Sequence, residues 1–398
     1  MPAWSIEDIG YCANVHAGVT PDSIEQNLVK ITAEVRRERG LNSMAAGLWL
    51  CEQAAQSYVD DDARLDRLVA CLEEQQLYTL TFNGFPQGDF HQAVVKTRVY
   101  EPTWADPSRL QYSCDLATIL SRCLPERHDV GTISTLPLAY RLSWRADQHV
   151  IACENLCRFA MFAERLEANT GKCIRLCLEM EPGCVLERSD QLLVLFAQDL
   201  PIAAKSVAVS EFTMRRYLGI CYDICHQAVM QEDITQSVKS IHQANILIGK
   251  VQVSSAMYAP NPADVQVQDA LQGFAEPKYL HQVTTRSADG ALVFCDDLSD
   301  ALGELQLSKN APWWIHYHLP IQASELSFNG LTTTQKQILT FFDAIKILDY
   351  SPHFEVETYT WDVLPASERL AGDAGLIQGL TGELQWLERQ LKLQQMLV

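Results

Sequence analysis

The sequence predicts an α/β protein, a (β/α)8 barrel that takes the whole of 1–398 as one domain. Three observations predict it: eight short β-rich runs, amphipathic segments between them, and an alternation in the later runs that sets apolar side chains on one face and titratable ones on the other. Strand followed by helix, repeated, forces parallel strands with right-handed crossovers, and eight such units close into a barrel. A doubly wound open sheet is the competing arrangement.

The eight runs are Ile9 to His16, Tyr78 to Asn83, Thr132 to Leu136, Cys173 to Glu181, Leu218 to His226, Ile246 to Ser254, Trp313 to Leu319 and His353 to Tyr359. Alternation is clearest in the later ones, because successive strand residues face opposite sides. Leu176, Leu178 and Met180 separate from Glu179 and Glu181, Val251 and Val253 from Lys250, Gln252 and Ser254, Ile315 and Tyr317 from His316 and His318, and Phe354 and Val356 from Glu355 and Glu357. The polar members gather toward the C-terminal ends, where barrels of this class build their sites.

SIEQNLVKITAEVRRE from Ser23 and NLCRFAMFAERLEANTG read as covering helices, the second closed by Gly171 as a C-cap. Two connections exceed what a barrel needs: 84–131 after strand two, with His91, Tyr100 and Trp104, and 255–312 after strand six, with His281 and Arg286. Both read as long loops able to close over a ligand, the second as polar and irregular. The end, 365–398, is rich in Leu, Gln and Glu and reads as a helical extension, either a covering helix or a packing surface for a second subunit.

A hydrophobic share of 47% with 20% charged residues is that of a packed globular chain, and no apolar run reaches the roughly 18 residues of a membrane span. The start, MPAWSIEDIGYC, has no basic and apolar leader, so the cytoplasm is the expected compartment. Many of the 13 cysteines sit in apolar runs and read as reduced core thiols, without the paired C-x2-C knuckles of a structural zinc site. A formal charge of −19 with no basic run argues against nucleic acid and against an anionic membrane surface as partners.

Carboxylates and imidazoles converging on one pocket suit a divalent ion such as magnesium, manganese or zinc. The candidates are Glu179, Glu181, Asp223, His226, Gln252, His316, His318, Glu355 and Glu357, with Lys250 as a basic partner. A buried cluster of acids repels itself unless a cation joins it. Asn14 and His16 in the first run, Asn83 in the second, and Glu181, Lys250, His281, His316 and Glu355 are the candidate substrate contacts.

Glu-x-Glu-Pro in the fourth run, Asp-x-x-His in the fifth and Glu-Thr in the eighth resemble the xylose-isomerase-like superfamily of sugar isomerases, ketose epimerases and endonuclease-four-type enzymes. Within it, YCANVH, FNGFP, STLPL, CYDICH, KVQVSS, YLHQV, WIHYHLP and EVETYTWDVLP, from Tyr11 to Pro365, resemble the EboE family of metabolite-traffic proteins of bacterial ebo operons. The resemblance implies an ion held by Glu179, Asp223, Gln252 and Glu357, with His226 beside it and Glu179, Glu357 and His226 handling protons. Gln252 departs from the superfamily histidine, and His318 or His281 is the imidazole that would replace it. Glu181 stands where the isomerases place a lysine.

The implied function is a metal-dependent isomerase or epimerase of a sugar-like or cyclitol substrate, in the processing or traffic of a secondary-metabolite precursor. The rival is a non-catalytic metabolite binder on a degenerate barrel; a nuclease would need a basic groove. Other ebo-operon proteins and a second copy of the chain are the partners to test.

Overall fold

In the computed structural model, which describes residues 2–303, 307–326 and 330–398, the barrel is present but one of its staves is not the expected one. Among the described residues its strands are β1 (Gly10–Tyr11), β2 (Leu48–Trp49), β3 (Thr81–Asn83), β4 (Val130–Thr135), β5 (Cys173–Glu179), β6 (Leu218–Asp223), β7 (Ile248–Val253) and β8 (His353–Val356). They run β1-β8-β7-β6-β5-β4-β3-β2 around one sheet, every neighbour parallel. A parallel bridge between Cys12 and Gly47 closes β1 on β2, and the Ala13 N–H donates to the Gly47 carbonyl at 2.8 Å.

The correction concerns 313–319. Trp313–Ile315 is not a barrel strand; it is the centre of a five-stranded antiparallel sheet with Leu292–Cys295, Val283–Arg286, Met257–Ala259 and Thr332–Thr333. The connection after β7 is therefore a built layer and not the irregular loop expected for 255–312. An antiparallel strand with one buried face shows the same two-residue period as a barrel stave, so alternation alone could not separate the two. The missing stave, Leu48–Trp49, is two residues long and offers no period at all.

The outward faces of the staves form the core beneath the helices. Leu176, Leu178, Ile220, Tyr222, Val251, Val253, Phe354 and Val356 are buried, each worth about 1.5–3 kcal/mol of transfer free energy at full burial for side chains of this size. Helix Pro21–Asn27 begins two residues before Ser23 because Thr20 caps it and Pro21 fits its first turn. Helix Ala146–Thr170 ends at Gly171 as expected, in the left-handed region at φ 73°.

The C-terminal helix, Gly372–Leu393, packs as a cover: Leu380, Leu384, Leu387 and Leu391 are buried. Its buried Glu383 accepts hydrogen bonds from Thr358 Oγ1 (2.6 Å), Trp361 Nε1 (3.0 Å) and the Ile321 N–H (3.1 Å), tying it to the chain just after β8. Among the described residues no single helix is long and apolar enough to cross a membrane.

Candidate functional site

The barrel interior is polar, and it is arranged in tiers. In the lower tier Lys250 of β7 and Glu355 of β8 form an ion pair at 2.7 Å, both almost completely buried. Lys250 Nζ also donates to the Phe82 carbonyl (3.2 Å) and to Ser134 Oγ (3.3 Å). Burial pulls the ammonium pKa down, but the Glu355 carboxylate outweighs it and raises it. Glu355 fits only because residue 47 is glycine: a Cβ there would stand 1.3 Å from Glu355 Oε1. Lys250 and Glu355, expected to touch substrate, lie beneath the cavity and do not line it.

Two residues further along the same staves the balance changes. Glu179 closes β5, Asp223 closes β6 and Glu357 follows β8, and their carboxylate oxygens lie within 4.8 Å of one another. Asn14 and Asn83 both donate to Glu357 Oε1, at 2.8 and 2.9 Å. Asp223 Oδ1 accepts from the His226 N–H and Ser254 Oγ, each at 2.8 Å. Glu179 Oε2 and Asp223 Oδ2 are buried without a hydrogen-bond partner among the described residues. Burial, and then repulsion within the trio, pushes the Glu179 and Glu357 carboxyls well above the usual range.

Three imidazoles stand beside this cluster. His226 Nδ1 donates to the Met180 carbonyl (2.9 Å), His318 Nδ1 to the Glu357 carbonyl (2.8 Å) and His316 Nδ1 to Gln282 Oε1 (2.6 Å). With a carbonyl oxygen facing each Nδ1, the lone pair belongs to Nε2. Burial holds His318 down to about 4 and His316 well below the usual value, so both rings are neutral. Ring nitrogens of His226 and His318 lie within 4.8 Å of an Asp223 oxygen and of each other. Glu181, next along from β5, accepts from the Tyr100 hydroxyl at 2.7 Å; burial raises its carboxyl to about 7.

Above the trio opens a small cavity of about 50 Å3. Asn14, Asn83, Glu179, Glu181, His226, His316 and Glu357 form its polar wall, and Phe85, Phe90, Val95, Val99, Tyr279, Leu280 and Tyr359 its apolar one. Lys96 also lines it, with Nζ paired to Asp297 at 2.5 Å.

Gln252 is buried in register with Asp223 on the neighbouring strand, with neither amide atom paired among the described residues. Ring nitrogens beside Asp223 come from His226 and from His318, which follows the central strand of the inserted sheet. Other candidates fall elsewhere. His281 uses both ring nitrogens, Nδ1 on the His316 carbonyl and Nε2 on Glu276 (2.9 Å each), and braces the sheet. His16 bonds the Tyr11 hydroxyl at 2.8 Å and lines a separate small hollow, because Tyr11 and His16 face the helices. Tyr279, Gln282 and Tyr359 were not singled out from the sequence. The first two share EPKYLHQV with His281, where the histidine was the louder signal.

No family model matches the chain, and no curated protein matches it. Solved structures do. A xylose isomerase domain protein from Planctomyces limnophilus is similar at 10% identity over 98% of both chains, with a TM-score of 0.51. A D-tagatose 3-epimerase-like protein matches at 13% identity over 97% of both chains (TM-score 0.48), and an IOLI protein with a bound zinc atom at 12% over 96% of this chain and 98% of that one (TM-score 0.47). The fold is thus a (β/α)8 barrel, similar to that of the xylose isomerase domain protein.

Proposed function

We propose that the protein is a divalent-metal-dependent isomerase or epimerase acting on a small sugar-like or cyclitol substrate. The observation that carries this reading is the trio Glu179, Asp223 and Glu357: three buried carboxylates within 4.8 Å, two of their oxygens unpaired, at the C-terminal mouth of a barrel. That arrangement opposes itself without a cation and suits a hard ion of the manganese, magnesium or zinc class. The three carboxylates hold the ion, with the ring nitrogens of His226 and His318 available beside Asp223.

The ion supplies polarisation of a carbonyl and an adjacent hydroxyl. The chain does the rest. Asn14 and Asn83 hold one Glu357 oxygen and so orient the other. Glu181, raised to about 7 and lining the cavity, can hold or release a proton near neutrality. Glu179, Glu357 and His226 are the further proton carriers, and the aromatic wall excludes water from the reacting carbons. The motif resemblance to EboE proteins supports a place in handling a secondary-metabolite precursor.

The test is elemental analysis of the purified chain beside Glu357→Gln and Asp223→Asn, followed by proton NMR of solvent-deuterium exchange into a panel of ketoses and cyclitols. The expected result is bound metal in the parent, one equivalent less in each variant, and deuterium entering next to a carbonyl only with the parent. Metal absent after incubation with manganese, zinc and magnesium sinks the metalloenzyme reading. Metal present with no exchange in any substrate, but ligand binding, turns the reading to a metabolite-binding barrel.

A further inference from the structure

We infer that the barrel mouth holds a second, softer cation site, formed by Cys225, His316 and His318, which takes a zinc-class ion independently of the carboxylate trio. A Cys225 sulfur and one ring nitrogen from each histidine lie within 4.8 Å of one another, and all three residues are buried. Both Nε2 atoms, of His316 and of His318, are buried and have no hydrogen-bond partner among the described residues. Leaving two such acceptors unpaired in a dry interior is costly unless something accepts their lone pairs.

The two rings are also held ready. His316 and His318 are two residues apart just after Trp313–Ile315, where the Tyr317 N–H turns back onto the Ile315 carbonyl (2.8 Å), and their rings lie side by side with centroids 5.3 Å apart. His316 Nδ1 is pinned by Gln282, whose own amide donates to the Tyr100 hydroxyl and the Pro182 carbonyl at 2.9 Å each. His318 Nδ1 is pinned by the Glu357 carbonyl. Such outer partners on Nδ1 are what fix the tautomer and aim of a ligating histidine.

Cys225 comes from a different element. It sits two residues past Asp223, in the first turn of helix Ile224–Val229, with its N–H on Ser254 Oγ at 2.9 Å. One thiolate and two imidazoles are a borderline-soft donor set, unlike the all-oxygen trio next to it, and suit zinc or cobalt. Of the three ligands, His316 is the one that lines the cavity. Binding converts the Cys225 thiol to a thiolate and releases one proton per ion.

With His318 committed here, the trio keeps three carboxylates and His226, which is enough for a hard ion. The inserted antiparallel sheet then has a chemical purpose, since it carries both histidines.

Cobalt titration of the metal-free, reduced full-length chain tests this. Two equivalents are expected, one of them raising a near-ultraviolet thiolate-to-cobalt charge-transfer band. Cys225→Ser should lose that band and one equivalent, although 12 of the 13 cysteines remain. His316→Asn should lose the equivalent by a change at the cavity wall that keeps Cys225 in place. Glu357→Gln should lose the other equivalent and keep the band; a band without metal at the trio sinks the isomerase reading and leaves this one standing. A parent with no band, or a band and stoichiometry unchanged in both Cys225→Ser and His316→Asn, overturns the proposal.

Discussion

Two tiers of one barrel, a single strand step apart, treat buried charge in opposite ways. In the lower tier Glu355 meets Lys250 at 2.7 Å, and the lysine's remaining hydrogens find Phe82 and Ser134. In the upper tier Glu357, Glu179 and Asp223 meet one another, carboxylate against carboxylate. Desolvation is comparable, since all five residues are at most 4% exposed. The difference teaches that the lower charges offset each other within the fold, whereas the upper ones share one sign and are relieved by a proton or a cation. Proteins tolerate such unrelieved clusters chiefly where a ligand is to bind.

The comparison breaks most visibly at Lys250. Lys250→Met leaves Glu355 buried without its partner, and breaking a pair of this kind costs about 3–5 kcal/mol. Urea unfolding should show that loss, and the double variant Lys250→Met/Glu355→Leu should recover most of it. A single variant as stable as the parent would mean that the lower tier is not settled by this pair.

A pH series sharpens the contrast next. Glu181 is raised from its ordinary 4.5 to about 7 by burial. The folded chain therefore keeps a proton that the unfolded chain has already released. That stability is fully present below about 4.5 and is lost as pH rises through about 7; the 2.5-unit gap corresponds to about 3 kcal/mol. Glu383, raised likewise to about 7, acts in the same direction. Urea midpoints of the metal-free chain should fall between pH 4.5 and 8, and Glu181→Gln should flatten part of that slope. The same slope in parent and variant would remove Glu181 from the account.

How far this was readable in the sequence depends on what periodicity can carry. β5 to β7 span six or seven residues each and show their period plainly, and the carboxylates at the ends of β5 and β6 follow from it. Leu48–Trp49 has no period to read, and Trp313–Ile315 has the right period in the wrong sheet. Period also tells the side of a stave but not the depth. Lys250 and Glu355 share a face with Gln252 and Glu357, so all four looked alike, while one tier lies below the cavity. His16 and His281 attracted notice as histidines; what removed them from the site, the Tyr11 hydroxyl and the Glu276 carboxylate, is tertiary and has no local signature.

The finest test applies the same change to both tiers. Glu355→Gln replaces the carboxylate that neutralises Lys250, and the metal-free protein should lose stability on the scale of the broken pair. Glu179→Gln removes one of three acids whose repulsion already favours a proton, so its metal-free form should lie within about 1 kcal/mol of the parent, or above it. Its ion affinity should nevertheless collapse. In the parent that affinity should rise with pH, because Glu179 and Glu357, both raised, must give up protons to a cation. Equilibrium unfolding with and without manganese reads both terms in one experiment. Equal losses for Glu355→Gln and Glu179→Gln would erase the distinction between the tiers, and with it the argument that the upper one is built for an ion.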